Sequence, residues 1–472
     1  MEDPRLEIRK PLDELEAAVV ERDLARPGEV SAELLGALRY VLSFARLSTV
    51  RAADGTDIEV GGQLAAHRWR VIEALRPHLS QDETLWGAIR VLPSLVAATR
   101  EQRERLLARG DLDRTSLEDE VCTRQLVVVC GGGGGAGYGY AGAYGLLHRH
   151  RLQPQLLAGT SMGALMGIFR ARSRSFDGGT LMAAARRLNW DTVFASSPPA
   201  GSIYGLPATL RLYLRGAVGH LFRREDGATL TFRDLAVPML VVATGVRVGG
   251  LKHDLDYFEH FLDDAVSPGQ FIRPSAIARL STLASITREL MSDPDALREI
   301  VFGGDPHTMD ADVLDAAGFS SAVTGLIHYD IYRDDARMKH LLDNLYAQYG
   351  ITRLTEGGVV NNVPARPAFQ RVMDGAITRR NPFVLALDCF PPQRRNVLMY
   401  PLQQLARLNV IKNIPYANLY LPLQRKLSPL NLLPPPEHLV QAMRWTMDEL
   451  QPKMDFISAM CRSLPVLRDA SA

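Results

Sequence analysis

Ser161 stands in Gly159-Thr160-Ser161-Met162-Gly163, with the apolar Gln155-Leu156-Leu157-Ala158 ahead of it and the small residues Gly163, Ala164 and Gly167 behind. That order predicts a short buried strand, a tight turn carrying the serine, and a helix packed closely on the strand, the setting in which a hydroxyl becomes a nucleophile. Glycines two places either side suit such a turn, because flanking side chains would collide with neighbouring elements. The second chemical feature is the run from Gly131 to Gly135, followed by Ala136-Gly137 and entered from Leu126-Val127-Val128-Val129-Cys130, which is predicted as a fully buried strand. No side chain there can react. Its backbone N–H groups, those of Gly132, Gly133 and Gly134, can instead hold the negative oxygen that forms when a hydroxyl attacks an ester carbonyl.

Two other chemistries compete for these residues. A glycine-rich loop after a strand also suits a nucleotide phosphate, but no Gly-Lys-Ser/Thr ending follows it, and Gln153 to Gln155 stand where a ribose-binding acid would be. A Ser-His-acid triad needs a late histidine, and His438 is the one that follows in the required order. It comes directly after Pro434-Pro435-Pro436-Glu437, which predicts the first turn of a solvated helix and not a strand end.

Taken in order, Gly132 to Gly137, Gly142-Ala143-Tyr144-Gly145-Leu146-Leu147 and Leu157 to Ala164 resemble the opening of patatin-like phospholipases. The resemblance continues through Leu240 to Gly245, the small-residue block Ser320 to Gly325, and Glu356-Gly357-Gly358-Val359-Val360-Asn361-Asn362-Val363-Pro364, and covers about residues 124 to 390. It implies a three-layer α/β/α fold with a central, mostly parallel sheet. It also implies a serine and carboxylate dyad that hydrolyses fatty-acyl esters with neither a catalytic histidine nor a cofactor or metal, acting on a phospholipid or other acyl-ester lipid.

Two positions depart from the family pattern. Ala136 replaces the usual Arg or Lys beside the oxyanion glycines, and Glu356 replaces the Asp of the dyad. A carboxylate base must come within about 3 Å of its hydroxyl, so the longer arm of Glu356 requires the backbone to sit further back. Asp374, in Asp374-Gly375-Ala376, is a rival base, although it ends the predicted helix Ala368 to Met373 at a glycine C-cap. The expected pair is therefore Ser161 and Glu356. A lipid-binding protein that has lost catalysis and an acyltransferase using the same acyl-enzyme are the alternatives.

Composition sets bounds around this site. With 472 residues, 46% hydrophobic and 23% charged, the chain is long enough for more than one folded unit. A net charge of +1 provides no global field to draw in nucleic acid or an anionic membrane. Cys122, Cys130, Cys389 and Cys461 have no metal-ligand spacing. The start of the chain lacks a signal-like apolar core, and the expected location is cytoplasmic, with peripheral membrane contact as a further expectation.

Residues 1–120 are predicted as a helical region: Leu34, Leu35, Leu38, Val41, Leu42 and Ala45 share one face, and Ser80-Gln81-Asp82-Glu83 reads as a capping box opening a helix kinked at Pro93. The catalytic domain is expected over 121–390, with an inserted helical segment at about 253–312 in which Ile277, Leu280, Leu283, Ala284, Leu290 and Met291 have helical spacing. The remainder, 391–472, is a Pro- and Leu-rich extension ending in a helix from Glu437 to Arg462, whose Met443, Trp445, Met447, Met454 and Met460 suit core filling or lipid contact.

Overall fold

A computed structural model describes residues 3–81, 84–196, 203–249, 294–331, 333–393 and 399–468. The chain divides into two compact units, one of Met1–Leu126, Phe369–Phe383 and Pro452–Ala472, the other of Val127–Ala368 and Val384–Gln451.

The first unit contains helices α1 (Pro4–Ala25), α2 (Ala32–Ala45), α3 (Ala65–Gln81), α4 (Trp86–Leu107) and α5 (Arg114–Cys122). A hairpin of β1 (Thr49–Arg51) and β2 (Asp57–Glu59) interrupts them, its tip turned by Asp54 and a left-handed Gly55. Ser31 caps α2 by accepting from the Leu34 amide at 3.3 Å. Leu38, Val41, Leu42 and Ala45 of the predicted face are fully buried, while Leu34 lies exposed on its rim.

The expected capping box is corrected in part. Ser80 and Gln81 close α3, because the apolar series Val71, Ile72, Leu75 and Leu79 is buried and carries the helix past them; Asp82 and Glu83 lie outside the described residues. The following helix starts at Trp86 without a side-chain cap and runs on through Pro93. At the centre of this unit, the buried Glu16 carboxylate accepts from Arg39 at 2.9 Å, Arg46 at 2.7 Å and Arg124 at 2.7 Å.

The second unit is built on β3 (Gln125–Cys130), β4 (Leu156–Thr160), β5 (Phe194–Ser196), β6 (Ala208–Leu212), β7 (Met239–Arg247), β8 (Leu297–Phe302), β9 (Gly325–His328), β10 (Ile351–Thr355), β11 (Pro382–Asp388) and β12 (Leu419–Pro422). The central sheet runs β10-β7-β4-β3-β11-β12, with β8 added to β7. Its β3–β4, β4–β7 and β11–β12 pairs are parallel, and β8 and β10 run antiparallel to β7. Its helices of more than two turns are α6 (Tyr140–Arg149), α7 (Met162–Ala171), α8 (Gly178–Arg187), α9 (Val313–Ser320), α10 (Ala336–Tyr349), α11 (Ala365–Met373, which runs across the division), α12 (Tyr400–Asn413) and α13 (Pro436–Leu450), beside the short helical turns Trp190–Val193 and Leu214–Val218. This is the mixed α/β architecture with a mostly parallel central sheet that the sequence blocks imply. Strands β5, β6 and β9 form a separate small sheet.

Of the segment expected to be an inserted helix, residues 250–293, including Ile277 to Met291, lie outside the described residues; the part from Pro294 onward carries β8. The single terminal helix expected from Glu437 to Arg462 is two, α13 and Met454–Cys461, parted at Gln451-Pro452-Lys453. Pro452 has no N–H to continue the ladder. Met454 and Met460 are buried in the first unit, whereas Met443, Trp445 and Met447 of α13 are half-buried. Among the described residues no helix is long and apolar enough to cross a membrane.

Candidate active site

Strand register brings the two expected site residues together. β4 runs parallel to β7 and ends with Thr160 beside Val242; β10 runs antiparallel to β7 and ends with Thr355 beside Thr244. The strands thus approach one stretch of β7 from opposite directions and stop two residues, about 7 Å, apart along it. The next residue on β4 is Ser161, and the next on β10 is Glu356.

Ser161 forms the turn between β4 and α7 with φ 51° and ψ −123°. A non-glycine residue in that region is strained, and the surroundings must hold it there. They do so from two directions. The Ser161 amide donates to Ser320 Oγ at 2.8 Å, and that hydroxyl donates onward to the Val242 carbonyl at 2.5 Å. Behind the turn, α7 starts so close to β3 that a Cβ on Gly163 would lie 2.1 Å from the Cys130 carbonyl oxygen. The second glycine of the motif is therefore a packing requirement.

Glu356 opens the loop after β10, its amide donating to the Ala322 carbonyl at 2.9 Å and its own carbonyl accepting from Thr244 Oγ1 at 2.6 Å. Its side chain is half-buried. Burial holds the carboxyl up at about 7, with the serine contact pulling the other way.

The rest of the acidic loop is anchored by residues to which the sequence reading gave no role. Asn409 on α12 accepts from the Asn362 amide at 2.9 Å and donates to the Gly358 carbonyl at 2.9 Å. One turn on, Asn413 accepts from Asn361 Nδ2 at 3.2 Å and from the Arg366 amide at 3.0 Å. Thr160 Oγ1 donates to the Asn361 carbonyl at 2.9 Å, tying the end of β4 to the same loop. Two asparagines four apart in an otherwise Leu-rich segment were the available signal.

The competing residues lie elsewhere. Asp374 follows α11 in the first unit, half-exposed, with its carboxylate on Arg5 at 2.7 Å. His438 is exposed in the first turn of α13.

The glycine loop needs one correction. The Gly132 amide donates to the Asn362 carbonyl at 3.1 Å, which removes it from the oxyanion donors the sequence suggested. The Gly133 and Gly134 amides have no acceptor among the described residues, and Gly134 has the left-handed φ of 54°. The loop is also covered tightly: the Gly135 amide donates to the Pro429 carbonyl at 3.0 Å, and a Cβ on Gly135 would lie 2.0 Å from the Asn431 carbonyl oxygen. Ala136 is buried and contributes only a methyl group where a basic side chain was expected.

Two apolar cavities meet at these residues. One opens at Ser161 and is walled by Leu165, Phe169, Leu181, Leu212 and Val218. The buried Ser321 hydroxyl, with no partner among the described residues, lines it too. The other opens at Glu356 and Gly133 and is walled by Phe390, Leu402, Leu405 and Leu430. Among the described residues no cluster of three His, Cys, Asp or Glu side chains could hold a metal ion.

The strained strand-to-helix turn at Ser161 and the loop opened by Glu356 thus lie beside two adjoining apolar cavities. A family model described as patatin-like phospholipase matches residues 128–369, just over half of the chain. The chain belongs to the patatin-like phospholipase family, a family of lipid acyl hydrolases. No curated protein matches it significantly.

Proposed function

We propose that the protein is a serine-dependent lipid acyl hydrolase in which Ser161 is the nucleophile and Glu356 the general base. The observation that carries this reading is the convergence of Ser161 and Glu356, the residues that follow β4 and β10 where both strands end against one stretch of β7, with the Glu356 carboxyl held up at about 7, the range in which one group can both take and return a proton at neutral pH. Glu356 accepts the Ser161 proton as Oγ bonds to the ester carbonyl carbon, and the oxygen that turns negative is received by the Gly133 and Gly134 amides. Collapse of this intermediate breaks the bond to the alcohol oxygen, which leaves with the proton from Glu356. Water then loses a proton to the same carboxylate and attacks the acyl-Ser161 ester; the fatty acid departs and Ser161 regains its hydrogen. The substrate is a phospholipid or another acyl-ester lipid, and the apolar walls around Ser161 suit its acyl chain.

The test is fatty-acid release from phospholipid and p-nitrophenyl esters by wild type, Ser161→Ala, Glu356→Gln and Asp374→Asn. Each of the first two substitutions is expected to lower kcat/KM by about 1,000-fold or more, and Asp374→Asn to leave it within about twofold. A folded wild type no more active than Ser161→Ala would instead support a lipid-binding protein without catalysis, and acyl products in place of fatty acid would support a transferase.

A further inference from the structure

The two cavities are not equivalent, and the difference bears on the substrate. The first contains the nucleophile, the second the base, and the Gly134, Val323, Ile327 and Leu432 walls are common to both. In the proposed reaction, on which this inference rests, the acyl group becomes bonded to Ser161, while the alcohol oxygen must face Glu356 to take its proton. The acyl arm therefore occupies the serine side, and whatever is attached to the alcohol oxygen occupies the glutamate side. A polar head group alone would gain nothing from walls of Phe390, Leu402, Leu405, Ala406 and Leu430.

From this geometry we infer that the alcohol half of the substrate carries a hydrocarbon arm of its own, as in a diacyl glycerolipid, and that the glutamate-side cavity is the subsite for that arm. Eight of its eighteen wall residues, from Phe390, the start of α12 and the stretch Pro429–Leu432, lie beyond residue 369, where the family match ends. The segment from Pro429 to Leu432 also covers the glycine loop, with Tyr138 donating to the Leu432 carbonyl at 2.7 Å. The subsite is thus formed jointly by the family-matched region and this chain's own C-terminal region.

The test uses three esters with the same eight-carbon acyl arm, supplied as monomers to the full-length protein: dioctanoyl phosphatidylcholine, octanoyl lysophosphatidylcholine and p-nitrophenyl octanoate. The inference predicts a kcat/KM at least about tenfold higher for the diacyl lipid than for the lysolipid, since each buried methylene is worth up to about fourfold. Ala406→Trp, which fills the glutamate-side cavity, should lower the ratio of diacyl to p-nitrophenyl ester turnover by about tenfold or more. Leu405→Ala, which enlarges that cavity without threatening the fold through bulk, should shift the optimum of the second chain towards longer lengths. Equal turnover of diacyl and lysolipid, with ratios unmoved by both substitutions, would overturn the two-arm inference and leave the hydrolase reading standing. A wild type inert on all three esters would overturn both.

Discussion

Glu16 and Glu356 are glutamates withdrawn from solvent, the first fully and the second in part, one in each compact unit, and their surroundings drive them in opposite directions. For Glu16, burial acts to raise the carboxyl, but Arg46, Arg124 and Arg39 outweigh it and hold the group well below the usual carboxylate range. At Glu356 burial again acts upward, and the only opposing influence is the Ser161 hydroxyl, so the group rests near 7. The same side chain is a permanent anion in one place and a proton acceptor of useful strength in the other. What decides the role is whether cations accompany the carboxylate into the interior. The loop around Glu356 is held by neutral partners, Asn409 and Thr244, which position it without supplying positive charge.

The comparison is broken most severely on the Glu16 side. Glu16→Gln leaves three arginines with less compensating charge, and the expected loss is about 3–5 kcal/mol of stability, read as a lower midpoint in urea or thermal unfolding near pH 7. A change within about 0.5 kcal/mol would show that the arginines do not depend on that carboxylate.

Glu356→Gln should do the reverse, with a somewhat smaller effect. The folded-state value near 7 lies above the ordinary 4.5, so the folded protein retains a proton that the unfolded chain has already released between those values. The stability contributed by Glu356 is full below about 4.5, declines as pH rises through this window and is lost above about 7. The neutral amide escapes that loss, so the variant is expected to be more stable than wild type by about 3 kcal/mol near pH 8, with the gap closing towards pH 4. Glu16, held low, has the opposite dependence: its contribution is present above the ordinary carboxylate value and fades only as pH falls through its depressed one. Equal unfolding midpoints for wild type and Glu356→Gln at both pH values would remove the contrast.

Much of this site was legible in sequence because short-range rules specify it. Gly159 to Gly163 between an apolar run and small residues describes a strand, a turn and a helix, and β4, Ser161 and α7 follow that order. The block from Glu356 to Pro364 could be located by its residues alone, whereas its approach to Ser161 depends on β4 and β10 meeting β7 from opposite directions, a matter of register between strands far apart in the chain. Which glycine amides stay open was not legible either, since Gly132 is excluded only by the Asn362 carbonyl that comes to rest against it. Asn409 and Asn413 lay in a stretch known only by composition, and their function is fixed by the distant loop they bond. The helix expected to open at Ser80 shows the limit of local signals: a capping pattern yielded to a buried apolar face that continued through it.

The most direct test of the Ser161–Glu356 account is the pH dependence of kcat/KM for a short, soluble ester such as p-nitrophenyl butyrate, measured from about pH 5 to 9 on wild type and Glu356→Gln. Wild type should rise with pH through a single limb centred near 7 and then level off, because the base works only when ionised; the variant should be slower by about 1,000-fold, with no such limb. A limb near 7 that persists unchanged in Glu356→Gln, or a wild-type profile flat across that range, would contradict the assignment of Glu356 as the base.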